Sequence, residues 1–234
     1  MKIVTVIPAR GGSKEVPKKN LRKVCGRTLL AHTLECAARS KHPMDVVLST
    51  DCSEILEHAR SIGYSGEYLR PSRLAQDDSR IVDAVLDVLF WSERERSRHY
   101  DVVVLLQPTS PLRLSSDLDA ALDMFLTSDN ARSLVSVNPI HEHPVECVVT
   151  SSHGWKYLVE PEKSHAGRQS YNQNYFFING AIYICTREHL TQTHSFIDYQ
   201  NSILYQMPRV RAIDIDTEED LIMADFLCNR SKLI

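Results

Sequence analysis

The sequence predicts an α/β fold, a mostly parallel open sheet with helices on both faces. Three observations predict it. Short runs that are apolar at nearly every position, such as residues 2–7 and Val102–Leu106, suit strands buried on both faces. Between them, apolar residues recur at i, i+3, i+4 and i+7, as in amphipathic helices. The two kinds alternate through about residue 140, as parallel-sheet connections require. With 234 residues, 43% hydrophobic and 24% charged, the chain is long enough for one sizeable core and too apolar for disorder.

The elements follow in order. Residues 2–7 give the first strand. After a polar loop, Leu30, Leu34 and Ala37 lie at helical spacing. Val46-Val47-Leu48 is a second buried strand. Asp51-Cys52-Ser53-Glu54 resembles a capping box, in which side chains satisfy the free amides of a helix start, before Ile55, Leu56 and Ala59. A short strand is expected near Tyr68-Leu69, then a loop at Arg70-Pro71-Ser72. Val82, Val85, Leu86 and Leu89 mark a helix, Val102–Leu106 a central strand, and Leu118, Ala121, Leu122 and Phe125 another helix. Leu134–Val137 is again a strand. From about residue 139 to 182 the rhythm breaks, and His, Pro, Tyr and Asn cluster. Short antiparallel strands are expected at Val145–Val149, Trp155–Val159 and Ala181–Cys185, around a flexible loop. Arg211–Ile215 reads as a returning strand and Thr217–Cys228 as a closing helix.

Charge and cysteine content remove several classes. The net charge is −3, so no global basic excess exists to hold nucleic acid, and attraction to phosphate must be local. No apolar run approaches the roughly 20 residues of a membrane span. The N-terminal apolar stretch stops at Pro8, too short for a secretory signal. Cys25, Cys36, Cys52, Cys147, Cys185 and Cys228 are widely spaced and form no C-x-x-C. We read them as reduced, mostly buried thiols of a cytoplasmic protein. His141-Glu142-His143 has no neighbours to complete a metal site and reads as surface or structural.

In sheets of this kind ligands sit beyond the carboxyl ends of the strands, so the loops after Ile7, Leu48 and Leu106 are the places for chemistry. The first loop carries six basic residues between positions 10 and 23 (Arg10, Lys14, Lys18, Lys19, Arg22, Lys23) against one acid, Glu15. Gly11 and Gly12 let backbone amides turn toward an anion. A solvated surface loop would also carry charges, but a strand feeding a glycine-rich, lysine-bearing loop is a recurring phosphate cradle. It is neither G-x-G-x-x-G nor G-x-x-x-x-G-K-[ST]. After Leu106, Gln107-Pro108-Thr109-Ser110-Pro111 is a proline-stiffened loop that puts the Gln107 amide at the sheet's edge. Near the C-terminus, Asp214 and Asp216 would share one face of a strand while Ile213 and Ile215 face the core. Two carboxylates beside a triphosphate suit Mg²⁺; alternatively Asp216 or Thr217 caps the last helix.

Ile7–Asn20, the Arg70-Pro71 step, Gln107–Arg113, Asn179–Tyr183 and Ile213–Asp220 together resemble the acylneuraminate cytidylyltransferases. These are the CMP-sialic acid synthetases and their bacterial relatives for legionaminic and pseudaminic acids. The motifs run in order over nearly the whole chain. The resemblance implies a nucleotide-diphospho-sugar transferase-like fold. Residues 1–138 and 186–234 would form the nucleotide-binding α/β domain, and 139–185 a small mixed β insert for dimerisation and the sugar side. It implies a homodimer and a Mg²⁺-dependent reaction of CTP with a nine-carbon 2-keto acid sugar, giving a CMP-sugar and pyrophosphate. By position, Ala9, Arg10, Gly11, Gly12, Ser13, Lys19, Asn20, Arg70 and Ser79 would bind the nucleotide. Arg10, Lys14, Lys19 and Asp216 would be catalytic, Asp214 and Asp216 would hold the metal, and Gln107, Arg168, Gln169 and Tyr183 would contact the sugar. The chain departs from the family pattern at Glu15, at Glu146, and at Tyr171–Ile178, which lacks the usual proline and basic residue.

Three rivals have distinguishing features. A cytidylyltransferase for 3-deoxy-manno-octulosonate would lack the Gly-Gly-Ser-Lys sequence of the first loop. A non-catalytic nucleotide-binding regulator need not keep Lys19, Asp214 and Asp216. A nicotinamide-dependent oxidoreductase would need the absent dinucleotide fingerprint.

Overall fold

The computed structural model describes residues 1–140, 142–160 and 174–230. β1 (Ile3–Pro8) leads through the basic loop to a 3₁₀ turn (Lys19–Leu21), a small hairpin of β2 (Lys23–Val24) and β3 (Arg27–Thr28), and α1 (Leu29–Ala38). β4 (Asp45–Ser49), α2 (Ser53–Ser61), α3 (Ile81–Glu95), β5 (Val102–Leu105), α4 (Ser115–Leu126) and β6 (Ser133–Pro139) continue the alternation. Then come β7 (Val148–Ser151), β8 (Gly154–Tyr157), β9 (Phe176–Thr186), α5 (Arg187–Thr193), β10 (Ser202–Gln206) and α6 (Glu218–Asn229).

The main sheet has six strands in the order β10-β6-β9-β5-β1-β4. β4, β1 and β5 pair in parallel, as do β6 and β10, while β9 runs antiparallel between β5 and β6. The continuous apolar runs follow from burial on both faces. Ile3 and Ile7 of β1, with Val102 and Val104 of β5, pack on one side with α1, α2 and α4. Val4, Val6, Val103 and Leu105 pack on the other with α3 and α5. A third, smaller core joins Val16, Val24 and Leu29 to Leu112, Ile215, Leu221 and Ala224. It draws the first loop and the start of α6 together. Ile215 is fully buried there, and such a side chain contributes about 1.5–3 kcal/mol.

Several expectations are corrected. Arg211–Ile215 is not a strand: Arg209–Arg211 is a 3₁₀ turn and the following residues are irregular. The reason is Arg211, whose Nε and Nη2 fork onto the buried Asp117 carboxylate at 2.9 and 2.7 Å and bend the segment across the sheet's edge. Tyr68-Leu69 forms no strand, and Val145 lies in a 3₁₀ turn (Pro144–Glu146) rather than a strand. Asp51 does not cap α2; Cys52 stands at the cap, and Asp51 is turned toward the first loop instead. The expected insert end at residue 185 falls inside β9, which belongs to the main sheet. The described part of the insert is the β7–β8 hairpin. The cysteines are not all reduced: Cys25 and Cys228 form a disulfide linking the β2–β3 turn to α6, while Cys36, Cys52, Cys147 and Cys185 are free. Among the described residues no helix is long and apolar enough to cross a membrane.

Candidate active site

The carboxyl edge of the sheet gathers the loops. After β1, the buried Ala9 donates its amide to Ser49 O at 2.8 Å, tying the loop to the end of β4. The Gly11 amide donates to Asp51 Oδ1 at 2.9 Å. Only a glycine fits there, since a Cβ on Gly11 would come 2.8 Å from Cys52 Cβ. Asn20, nearly buried, donates Nδ2 to Arg10 O at 3.0 Å and closes the loop on itself.

The basic residues separate by partner. Lys18 pairs with Glu54 and Arg22 with Glu218, both away from the cleft. Arg10 and Lys14 both reach Asp77, at 2.9 and 2.6 Å. Lys19 Nζ lies 2.9 Å from Asp216 Oδ1, with the lysine side chain 15% exposed. Two segments 197 residues apart in sequence thus meet at one point.

A cavity of about 190 Å³ opens here, lined among others by Arg10, Gly12, Ser13, Lys19, Asn20, Arg70, Gln107 and Thr109. Arg70 is 5% exposed; its Nε and Nη2 donate to Ser49 Oγ and Ser49 O at 2.9 and 2.7 Å. Burial depresses its pKa, with Asp51 and Tyr68 opposing. Ser79 is not in the wall: its hydroxyl donates to Arg73 O and closes its own loop.

Asp214 and Asp216 lie in the irregular segment after Arg211, not on a strand, and are held by the Ile215 amide donating to Thr109 O at 2.8 Å. A Cβ on Gly180 would stand 3.7 Å from Gln107 Nε2 and 3.8 Å from Asp214 Oδ2, so these three residues adjoin. Gly180 has φ +75°, a conformation that glycine adopts without cost. Burial pushes the Asp214 carboxyl above its usual value. The Thr109 hydroxyl, near but outside hydrogen-bonding geometry, and Lys19 pull it back, and Asp216 adds to the rise. Tyr183 is half-buried in β9 with its ring 5.7 Å from that of Phe196; it is not a wall of the cavity. Burial and then Asp214 raise its phenol. Asp220, not Asp216, completes the cap of α6: its Oδ2 accepts from Thr217 N, and its amide donates to Thr217 Oγ1.

The residues present fit a hard divalent cation. Asp214 Oδ1 is buried with no hydrogen-bond partner, and Asp216 stands beside it with one oxygen on Lys19. No group of three or more His, Cys, Asp or Glu that would cage a metal occurs among the described residues. The two carboxylates suit Mg²⁺, which keeps several waters and takes one or two carboxylates plus phosphate oxygens.

Arg168 and Gln169 lie outside the described residues, as does His141. Sequence reasoning missed three supporting groups. Asp77 holds both Arg10 and Lys14. Arg113, 3% exposed, donates Nη1 to the carbonyls of Gln107 and Ala181 and Nη2 to Thr33 Oγ1. Ser136 and Asn179 form a buried pair that accepts the Ile182 and Ala181 amides at the bulge of β9. The positions flanking Gly180 carried the one available signal, a glycine inside a strand pattern.

Known proteins share this architecture. Residues 4–226 match the family model described as cytidylyltransferase. The chain is 36% identical over 228 residues to the CMP-N,N'-diacetyllegionaminic acid synthase of Legionella pneumophila, covering 97% of this chain and 96% of that protein. It is 31% identical over 225 residues to an N-acylneuraminate cytidylyltransferase of Streptococcus agalactiae, covering 95% of this chain and 52% of that one. In fold it matches a CMP:2-keto-3-deoxy-manno-octonic acid synthetase solved with CTP, with a TM-score of 0.72 at 17% identity, over 99% of this chain and 100% of the other.

Proposed function

We infer the reaction from one premise: this chain belongs to the cytidylyltransferase family. It joins CTP to a nonulosonic acid, a nine-carbon 2-keto sugar acid, and releases the CMP-sugar and pyrophosphate. One observation carries the assignment of roles: the Lys19–Asp216 contact at the mouth of a cavity walled by Arg10, Asn20, Arg70 and Gln107. It puts phosphate-seeking cations and a carboxylate couple in one place, as phosphoryl transfer demands.

The anomeric hydroxyl of the sugar attacks the α-phosphorus of CTP, and pyrophosphate leaves in line. Positioning and charge neutralisation do most of this work. Arg10, Lys14 and Lys19 oppose the charge that builds on the α-phosphoryl group and the leaving pyrophosphate. Gly12 and Ser13, which line the cavity, offer their amides to the phosphates while the Gly11 amide is held by Asp51, and Asn20 and Arg70 place the nucleoside. Gln107, beside Gly180, orients the sugar; Arg168, Gln169 and Tyr183 are sugar contacts on the family resemblance alone. Asp214 and Asp216 are the residues that would hold Mg²⁺, whose chemistry when bound is to neutralise phosphate charge and acidify a coordinated hydroxyl.

The β7–β8 hairpin supports a homodimer. On one face it exposes Val148, Trp155 and Tyr157 together, a patch that a second copy of the chain would cover. We place the reaction in the cytoplasm, where CTP is held. Pyrophosphate release from CTP and Mg²⁺ with a panel of nonulosonic acids tests the reading. Release with one acid of the panel is expected; none with any would remove it. Light scattering after size exclusion tests the dimer.

A further inference from the structure

Asp77 sits where no nucleotide is needed to explain it. Its two carboxylate oxygens are taken by two different cations: Oδ1 by Arg10 Nη1 at 2.9 Å and Oδ2 by Lys14 Nζ at 2.6 Å. Arg10 Nη1 also donates to the Gln76 carbonyl at 3.2 Å, so the strap around Gln76-Asp77 lies against the first loop over 60 residues away in sequence. The strap is anchored at both sides. Gln76 Nε2 donates to Ser72 O, and Ser79 closes on Gln76 O and Arg73 O. Arg10 is also a wall of the nucleotide cavity. A carboxylate bridging a guanidinium and an ammonium presents the same pattern of charge and acceptors as a phosphate group.

We propose that Asp77 is an internal competitor for the polyphosphate of the nucleotide: it occupies Arg10 and Lys14 in the free protein and is displaced when phosphates bind, so it sets nucleotide affinity from outside the reacting centre. The proposal rests on the reading of Arg10 and Lys14 as phosphate ligands. The alternative role for the same contact is pre-organisation, in which Asp77 holds the two cations in their binding positions. The two roles have opposite signs. A competitor costs affinity, and removing it tightens binding. A pre-organising carboxylate contributes affinity, and removing it loosens binding. The Lys14 link is largely exposed, with Lys14 77% and Asp77 51% exposed, and the Arg10 link partly so, with Arg10 35% exposed, so each is weak and easily exchanged. That exposure is what a displaceable contact needs. The carboxyl is held below its usual range by Lys14 first and Arg10 next, so it stays charged at neutral pH.

The test is calorimetric binding of inorganic tripolyphosphate, and separately of CTP, to wild type and to Asp77→Asn. Asp78→Asn serves as the control for loss of one nearby negative charge. Asp77→Ser is a second variant should the first fold poorly, with thermal melts checking both. Tripolyphosphate is expected to bind Asp77→Asn about three- to tenfold more tightly than wild type, with Asp78→Asn changing affinity less than twofold. In a Lys14→Ala background the gain from Asp77→Asn should shrink. Equal or weaker binding by Asp77→Asn, an equal gain from Asp78→Asn, or no binding by either form would each overturn the proposal. Because tripolyphosphate carries neither base nor sugar, the outcome is independent of whether any nonulosonic acid supports turnover.

Discussion

Replacing Arg113 by methionine separates the scaffold of the site from its chemistry. The guanidinium is 3% exposed and bonds only to neutral acceptors: Gln107 O at 3.1 Å, Ala181 O at 2.5 Å and Thr33 Oγ1 at 3.1 Å. Methionine fills most of the volume but donates nothing. The three acceptors do not suffer equally. Gln107 O also accepts the Ser110 amide at 3.4 Å, and the Thr33 hydroxyl still donates to Leu29 O. Ala181 falls outside the paired registers of β9 with β5 and β6, so its carbonyl loses most. One stranded buried carbonyl costs about 1–3 kcal/mol and two weakened bonds about 0.5–1 kcal/mol each, giving a loss of about 2–5 kcal/mol. For a chain of this size that is a fall of roughly 4–20 °C in Tm. Denaturant unfolding of both forms measures it. Pyrophosphate-release kinetics should show a higher KM for the sugar, since the Gln107 loop loses its anchor, with the KM for CTP changed much less. A loss below 1 kcal/mol, or equal effects on both substrates, would refute the account of Arg113 as the clamp between β9 and the Gln107 loop.

Other outcomes follow from the same geometry. Lys19→Ala and Asp216→Asn should keep the wild-type melting temperature within a few degrees and lower pyrophosphate release by about 10²–10³-fold; wild-type-like turnover in Asp216→Asn would remove the metal assignment. Thiol titration of the denatured, unreduced protein should find four thiols, and six after reduction, because Cys25 and Cys228 are joined. Asp45→Asn should cost about 1–2 kcal/mol at pH 7. Burial works against the Asp45 carboxylate, but Tyr100, Arg96 and Arg98 outweigh it and hold the carboxyl below its usual value. Its contribution is therefore fully present above pH 4 and disappears as the pH falls through the depressed value. The gap between wild type and variant in denaturant midpoint should close below about pH 4.

The parts of the fold legible in the sequence are those that obey one local rule. β1, β5 and α3 are readable because burial on both faces, or on one helical stripe, writes its period directly into Ile3–Ile7, Val102–Leu106 and Val82–Leu89. β9 was legible only at Ala181–Cys185. Its start, Phe176-Phe177-Ile178, is largely exposed, and a register shift between Ile178 and Tyr183 separates it from the rest, so it shows no clean alternation. The expected strand at Arg211–Ile215 failed for a tertiary reason: Asp117, buried in α4, outbids a neighbouring strand for Arg211. At the site, Arg10, Lys19 and Gln107 were readable from loop composition at strand ends, and Asn20 only through the family resemblance. Asp77 was not, because nothing in its own segment distinguishes it from Asp78; its meaning lies in what Arg10 and Lys14 reach across space. The disulfide was unreadable for the same reason, its cysteines being 203 positions apart.

The position of β9 fixes an order of assembly. Among the described residues it alone bridges β4-β1-β5 to β6-β10, so these strands share no ladder across the gap until residues 176–186 have left the ribosome. A nascent chain ending before that point carries two bare, apolar strand edges, β5 and β6, facing a gap. Pairings this distant in sequence close slowly, and open edges invite association with other chains. Insertion of this one antiparallel strand is thus the step at which the growing polypeptide stops being sticky.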